Sequence, residues 1–220
     1  MTRTSGRLAI AIEAGDKRVF ASALEWPGWA RSARSEEAAV ASLLSYAPRY
    51  APVARAAGLE FPEAFDADVI ERDGAGSGTD FGVVSLPAAG DRRPTSAAEA
   101  NRLAALVAAA WAEFDRVAAA APPELRKGPR GGGRDRDKIV GHVNGADAMY
   151  AGVIGLKVRE PEPGDHAAVE AIRSAVLEVL RTPSDGSPLA GKKWPARYAA
   201  RRIAWHALDH AWEIQDRSAP

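Results

Sequence analysis

The order of apolar and polar positions divides the chain into a part with strand patterns and a part with helical periodicity alone. Segments 7–13 and 18–25 are apolar or alternate in polarity, and the Gly-Asp pair between them predicts a β-hairpin. Ser35, followed by two glutamates, is placed to cap a helix with acidic residues in its first turn. Apolar residues then recur every three or four positions until Pro48 interrupts the helix.

Two further short apolar segments, 67–72 and 80–86, predict two more strands. Together with the hairpin and the helix, they make residues 1–86 a small α+β domain with an antiparallel sheet. Residues 87–95 have the composition of a linker, since they include two prolines, one glycine and three charged residues.

Beyond the linker no strand pattern recurs. Ser96 and Glu99 fit a capping box at the start of a helix over 97–120. A glycine-rich loop at 128–133 follows, and helical periodicity resumes in three more segments: 135–157, 165–181 and 195–217. Four helices joined by loops of modest length predict an up-and-down four-helix bundle over residues 96–220. The chain is therefore predicted to be a two-domain α+β protein.

Charge and cysteine content limit the classes of partner and of metal site that the protein can have. Acidic and basic residues are equal in number, 29 each, so net charge gives no reason to expect a nucleic-acid partner. The absence of cysteine excludes disulfides and thiolate ligands, so any metal must be held by nitrogen and oxygen atoms. The apolar run near the N-terminus is too short for a signal peptide, and no run reaches the ~20 residues of a membrane span. We therefore expect a cytoplasmic protein with no membrane partner.

Three of the four histidines are placed for a metal site. His142 shares one helical stripe with apolar residues three, four, seven and eleven positions away, so it is expected to point into the bundle. His206 and His210 are four residues apart and stack on one face of the last helix. A helical His-x-x-x-His pair is a natural two-ligand clamp for a metal ion. His166, beside Asp165, is more typical of a solvated residue at a helix start.

In an up-and-down bundle the second and fourth helices run parallel. His142 then lies roughly 11 Å along its helix and His206 roughly 16 Å along its own, so the three rings can converge on one ion. The alternative interpretation is an inward histidine with a satisfied hydrogen bond and an i, i+4 pair that arises by chance.

Polar neighbours of the histidines are candidates for catalysis and substrate binding. Glu213 follows His210 and is a candidate catalytic residue that orients an imidazole or moves a proton. An intrahelical ion pair with Arg217 is its alternative role. Arg202 precedes His206 by one turn and is a candidate to bind a substrate carboxylate through two hydrogen bonds, or else a surface arginine. Tyr150 and Asn144 are further candidates to line a substrate pocket.

Other polar and aromatic residues of the last helix receive simpler interpretations. Asp209 points ~60° away from the ligand face. Trp205, Trp212 and Tyr198 are at helical spacing and are more typical of the core than of a substrate cage.

The segments RRIAWHALDHAWEIQDR (201–217) and DKIVGHVNGADAMYAGVIGLK (137–157) resemble the DinB/YfiT family of metalloenzymes. The resemblance covers about 94–217 and implies a four-helix bundle with His142, His206 and His210 as ligands of a divalent ion, typically zinc or nickel. It also implies a thiol-dependent transferase or isomerase that uses a low-molecular-weight thiol such as mycothiol or bacillithiol.

The segment VFASALEWPGWARSARSEEAAVASL (19–43) is similar to the HicB-like antitoxin fold. Its Pro27-Gly28 turn and the helix start at 35–38 carry the resemblance, although Ala33 replaces the usual glycine. No DNA-binding ribbon or helix-turn-helix segment follows, so the resemblance implies a fold and no nucleic-acid partner.

Two functions follow as hypotheses. The first is a metal-dependent enzyme, such as a thiol S-transferase acting on a small-molecule substrate. The second is a non-catalytic metal-binding or stress-response interaction protein, in which the N-terminal domain mediates association, for example as a homodimer.

Overall fold

The computed structural model describes residues 5–128 and 132–218, so the predicted glycine-rich loop lies partly outside the described residues. Within these ranges the chain is a mixed α+β structure. The four strands are β1 (Ser5–Ala14), β2 (Val19–Ala23), β3 (Ala30–Ala33) and β4 (Ala64–Asp73). The six α-helices are α1 (Glu36–Ser45), α2 (Ala47–Ala56), α3 (Ala97–Ala120), α4 (Arg136–Val153), α5 (His166–Arg181) and α6 (Ala196–Ser218). None of the described helices is long and apolar enough to cross a bilayer.

The four strands form one sheet in the order β3-β2-β1-β4. The predicted hairpin is confirmed, since β1 and β2 pair antiparallel with Ile10 opposite Ala23. The prediction of an antiparallel sheet is wrong for β4, which pairs with β1 in parallel. Helices α1 and α2 connect β3 to β4 and return the chain to the end of the sheet where β1 begins. A strand that enters after such a helical crossover runs parallel to its neighbour.

The predicted strand at 80–86 is also wrong. A 3₁₀ turn, Thr79–Phe81, occupies its start, and no sheet ladder includes its remainder. The carboxylate of Glu13, on β1, accepts hydrogen bonds from the backbone N–H groups of Ser85 and Leu86, at 3.0 and 3.1 Å, and from the Thr79 hydroxyl. Two backbone donors that a strand would use are therefore bonded to a side chain.

The predicted helices are confirmed with small changes at their ends. Ser35 caps α1 by accepting from the N–H of Ala38, and Ser96 caps α3 by accepting from the N–H of Glu99. Pro48 does separate two helices, because it lies in the first turn of α2, where its missing N–H costs no helical hydrogen bond.

The directions of the last four helices differ from the predicted up-and-down order. His142 lies beside His206 and His210, whereas Tyr150, farther along α4, lies beside Arg202. Residue numbers thus rise along α4 as they fall along α6, and the two helices run antiparallel rather than parallel. Helix α3 instead runs parallel to α6, since Glu99 pairs with Arg197 and Glu113 with Gln215.

The connection between α4 and α5 explains the difference. Residues 160–166 line a cavity together with Val140 and Asn144 near the start of α4. The chain therefore returns along α4 before α5 begins, and α5 runs parallel to α4. About twelve residues of extended chain reach ~40 Å, which is enough to span the ~27 Å of an eighteen-residue helix.

Buried side chains of the sheet and of the C-terminal helices belong to one continuous hydrophobic cluster, which includes Ile10, Leu106 and Trp212. The segment predicted as a linker is packed against α6. Its Asp91 is buried in an ion pair with Arg201, whose Nε donates at 2.9 Å. The boundaries of the two predicted domains stay a prediction.

Candidate metal centre

Helices α4 and α6 bring His142, His206 and His210 together. One ring nitrogen from each lies within 4.8 Å of the other two, and the Nε2 atoms of His142 and His206 are 3.2 Å apart. The ring centroids are separated by 4.8 to 5.0 Å, and every pair is steeply inclined. The predicted convergence of the three imidazoles is therefore observed.

The three histidines differ in their access to solvent. His206 is buried, with 7 % of its surface exposed, whereas His210 is half-buried and His142 is exposed. The cluster thus has a closed side, toward the interior of the protein, and an open side at His142. A site of this kind can hold an ion and still admit a small molecule.

Glu213 fixes the orientation of His210. Its Oε2 accepts a hydrogen bond from Nδ1 of His210 at 2.8 Å, and its Oε1 accepts one from Arg217 at 2.7 Å. Glu213 thus contacts both the imidazole and Arg217, the two partners that the sequence proposed for it, and its catalytic role stays a prediction. The hydrogen bond from His210 is the main reason that the pKa of Glu213 lies below its usual value. With Nδ1 engaged, Nε2 of His210 carries the lone pair that can bind a metal.

Burial keeps the imidazole of His206 neutral. Desolvation is the first cause that lowers its pKa to about 2, and the proximity of His210 and Arg202 acts in the same direction. Partial desolvation and the proximity of His210 also lower the pKa of His142. Neutral imidazoles are the form that binds metals, so lowered pKa values favour this form of both side chains at neutral pH.

The alternative of an inward core histidine with a satisfied hydrogen bond does not fit His142, which is exposed and not enclosed as the sequence predicted. The buried ring of the cluster is that of His206. Its Nδ1 is buried and has no hydrogen-bond partner among residues 5–128 and 132–218. The only polar contact of its ring in that part of the chain is the one to His142. Buried polar atoms are normally paired, so this arrangement points to a function rather than to stability.

The dimensions of the cluster fit a divalent ion. Zinc–nitrogen bonds of 2.0–2.1 Å in a tetrahedral site place ligand nitrogens about 3.3 Å apart. The 3.2 Å between His142 and His206 is close to this separation. The separations within the cluster reach at most 4.8 Å, so the nitrogen of His210 needs to approach by no more than about 1.5 Å. Three neutral nitrogen donors suit zinc and nickel in particular.

Arg202 is buried rather than on the surface, with 8 % of its area exposed. Its guanidinium carbon lies 5.0 Å from the centre of the Tyr150 ring and 4.7 Å from that of Trp205. The Tyr150 ring in turn lies 5.6 Å from the ring of His206. Both predicted substrate-binding residues, Arg202 and Tyr150, therefore border the histidine cluster on its closed side.

Asn144 lies elsewhere. Its side-chain oxygen accepts a hydrogen bond from Arg173 of α5, at 3.4 Å, and it lines the cavity shared with residues 160–166. It lies two positions after His142, which turns it by about 200° to another face of α4. The structure thus does not bring Asn144 to the histidine cluster.

The remaining residues singled out in the sequence lie where they were expected. Asp209 points away from the cluster and pairs with Arg31 of β3, at 2.8 Å. His166 is exposed at the first position of α5. Trp205, Trp212 and Tyr198 are buried.

A buried network that the sequence did not predict connects α3, α4 and α5. Asp147 accepts hydrogen bonds from Trp111 and from Arg173, both at 3.0 Å. Asp147 lies five residues after His142, so the network helps to fix the helix that carries the ligand. An acidic residue next to Ala146 in an otherwise apolar stretch was the signal that could have revealed it.

Comparison of the chain with models of protein families, with curated proteins and with solved structures gives no match. What the protein does is therefore inferred from its own residues.

Proposed function

We propose that the protein is a divalent-metal-dependent enzyme of the DinB type, with zinc or nickel held by His142, His206 and His210. The observation that carries this proposal is the convergence of three imidazoles from two helices, although 64 residues separate His142 from His206. Lowered pKa values at these two positions support it, because protons then compete weakly with the metal.

The proposed reaction is the transfer of a low-molecular-weight thiol, such as mycothiol or bacillithiol, to a small electrophilic substrate. When bound, a divalent ion held by three neutral imidazoles supplies a positive charge that favours the ionised form of a thiol or of water. In the transfer, a bond forms between the thiol sulfur and an electrophilic carbon of the substrate. The S–H bond breaks and its proton goes to solvent, and the bond from that carbon to its leaving group breaks, with the electron pair going to the leaving group. The chain contains no cysteine, so the thiol must come from a cosubstrate.

Glu213 has a positioning role in this proposal. Its carboxylate holds the Nδ1–H of His210 and is also paired with Arg217, so its pKa is lowered and it is a weak proton acceptor. A group that orients a ligand in this way keeps the imidazole in one tautomer and raises its basicity.

We further propose that α3 to α6 constitute a four-helix bundle and that residues 1–86 are a HicB-like domain. The packing of α3 on α5 and α6, and of α4 on the same two helices, supports the bundle. Its helices would then follow an up-down-down-up order. The strand–turn–strand segment, with Gly28 at a positive φ of 94°, supports the similarity of the N-terminal domain.

The alternative is a non-catalytic metal-binding or stress-response interaction protein. The aromatic packing of Tyr150 and Trp205 around His206 favours it, since an ion under packed rings is less accessible to substrates. The exposed ring of His142 favours the enzyme instead.

Metal content and turnover test the proposal. The purified protein, a His142→Ala variant and a His166→Ala control are loaded with zinc or nickel, dialysed and analysed for bound metal. We expect about one ion per chain in the wild type and in the control, and less than about a tenth of that in His142→Ala. His166 is a matched control because it is the one histidine outside the cluster.

The loaded wild-type protein is then incubated with a panel of cellular thiols and a generic electrophile. Thioether formation that is lost in His142→Ala supports the enzyme. Bound metal without turnover supports the non-catalytic alternative, and no bound metal in the wild type contradicts both.

A further inference from the structure

Arg202 differs from the other buried arginines of the described chain. Arg173 pairs with Asp147, Arg197 with Glu99 and Arg201 with Asp91. Arg202 is buried to the same degree, yet within residues 5–128 and 132–218 no carboxylate pairs with it, and its Nη1 has no hydrogen-bond partner.

An unpaired buried cation is costly, since a charge removed from water needs a counter-ion or hydrogen-bond acceptors. The flat faces of Tyr150 and Trp205 compensate part of the charge of Arg202 by cation–π interaction. Rings stacked on a guanidinium do not engage the N–H groups in its plane. These in-plane N–H groups are the donors that bind a planar anion through two oxygens, and among them Nη1 is buried with no partner in the described part of the chain.

The position of Arg202 connects it with the metal centre. It lies one helical turn before His206, and both residues contact the ring of Tyr150. On the facing helix, the small side chain of Ala146 lies one turn from His142 and one turn from Tyr150. One row of side chains on α6 consists of Arg202, His206 and His210. It faces a row on α4 that consists of Tyr150, Ala146 and His142, in which the central alanine has the smallest side chain.

We propose that Arg202 is the anion subsite of this centre and binds the carboxylate of a small-molecule substrate through its in-plane N–H groups. The assignment to the substrate of the metal centre rests on the proposed function. The presence of the anion subsite does not, because it follows from Arg202 and its surroundings alone.

The test uses the full chain treated with a chelator, so that its outcome is independent of metal binding. Thermal unfolding is measured for the wild type, Arg202→Met and Arg201→Met. Methionine keeps the apolar stem and removes the charge. We expect the midpoint of Arg202→Met to equal or exceed that of the wild type, because no buried carboxylate loses a partner. The midpoint of Arg201→Met should fall, because Asp91 is left buried and unpaired.

Sodium acetate is then titrated at constant ionic strength, with chloride as the reference salt. Acetate should raise the unfolding midpoint of the wild type, and Arg202→Met should weaken this binding at least about tenfold. A fall in the midpoint of Arg202→Met as large as that of Arg201→Met would overturn the proposal. So would an acetate effect that persists in Arg202→Met, or inorganic phosphate acting more strongly than acetate on the wild type.

Discussion

The Nε2 atoms of His142 and His206 face each other at 3.2 Å, and the two residues reach this position from helices that run in opposite directions. Two neutral imidazoles in this arrangement have at most one proton between their facing nitrogens. At least one lone pair therefore points into the space between α4 and α6, where His210 adds a third nitrogen. Three such nitrogens are a donor set that suits a divalent cation.

Acid should destabilise the metal-free protein through His206. The pKa of this histidine is lowered to about 2 in the folded chain, whereas an unfolded histidine titrates near ~6.5. Below about pH 6.5 the unfolded state therefore binds more protons than the folded state. The contribution of neutral His206 to the free energy of unfolding is complete above that pH and decreases as the pH falls. The loss is about 1.5–2 kcal/mol between about pH 6.5 and pH 5.

Urea unfolding at several pH values, with a chelator present, measures this effect. His206→Gln should lose most of the pH dependence, whereas the exposed His166→Gln should retain it. The same acid sensitivity in His206→Gln as in the wild type would show that other groups are responsible.

Replacing Glu213 should weaken metal binding without removing a ligand. Glu213→Gln keeps an acceptor for Nδ1 of His210 but removes the negative charge, and Glu213→Ala removes both. Outer hydrogen-bond partners of metal ligands typically contribute 10- to 100-fold in affinity. We expect the metal affinity to fall about tenfold in Glu213→Gln and about a hundredfold in Glu213→Ala.

Competition with a chromophoric chelator measures both affinities, and Glu170→Gln, at an exposed position of α5, is the control. Equal affinity in Glu213→Ala and the wild type would mean that Glu213 does not support His210.

The Asp147–Arg173 ion pair should contribute strongly to stability. Asp147→Ala leaves Arg173 buried, with only the more exposed Asp115 as a carboxylate partner, and also removes the acceptor of Trp111. Breaking one side of a buried pair costs about 3–5 kcal/mol. Urea unfolding should show a loss of this size.

The double variant Asp147→Leu/Arg173→Met provides the check, since replacing both partners by apolar residues should recover much of the lost stability. If the double variant is as unstable as the sum of the single variants, the pair is not the source of the effect.

The helices and their caps could be predicted from the sequence because they depend on local interactions. Ser35 and Ser96 each accept a hydrogen bond from the residue three positions later, and that spacing is visible in one segment of chain. The parallel pairing of β4 with β1 depends on how α1 and α2 cross the sheet. The predicted strand at 80–86 does not form, because the N–H of Ser85 donates to the carboxylate of Glu13, 72 positions away. Such distant partners leave no periodic pattern.

The convergence of His142, His206 and His210 was predicted although the helix directions were wrong. His142 is the seventh residue of α4, and His210 is the ninth from the end of α6, so antiparallel helices bring the two to nearly equal depth. The apolar stripe of α4 indicates its inward face only in part, since Ile139 and Ala146 are buried but His142 and Met149 are exposed. The partners of Arg202 and Asn144 depend on neighbouring helices and could not be predicted in this way.

X-ray absorption spectroscopy of the zinc-loaded protein tests the central claim most directly, because it counts the nitrogen ligands of the ion. We predict three imidazole nitrogens at about 2.0–2.1 Å in the wild type, and two in a His142→Ala sample if it is loaded with excess zinc. Fewer than three imidazoles in the wild type, or an unchanged spectrum in His142→Ala, would contradict a centre shared by α4 and α6.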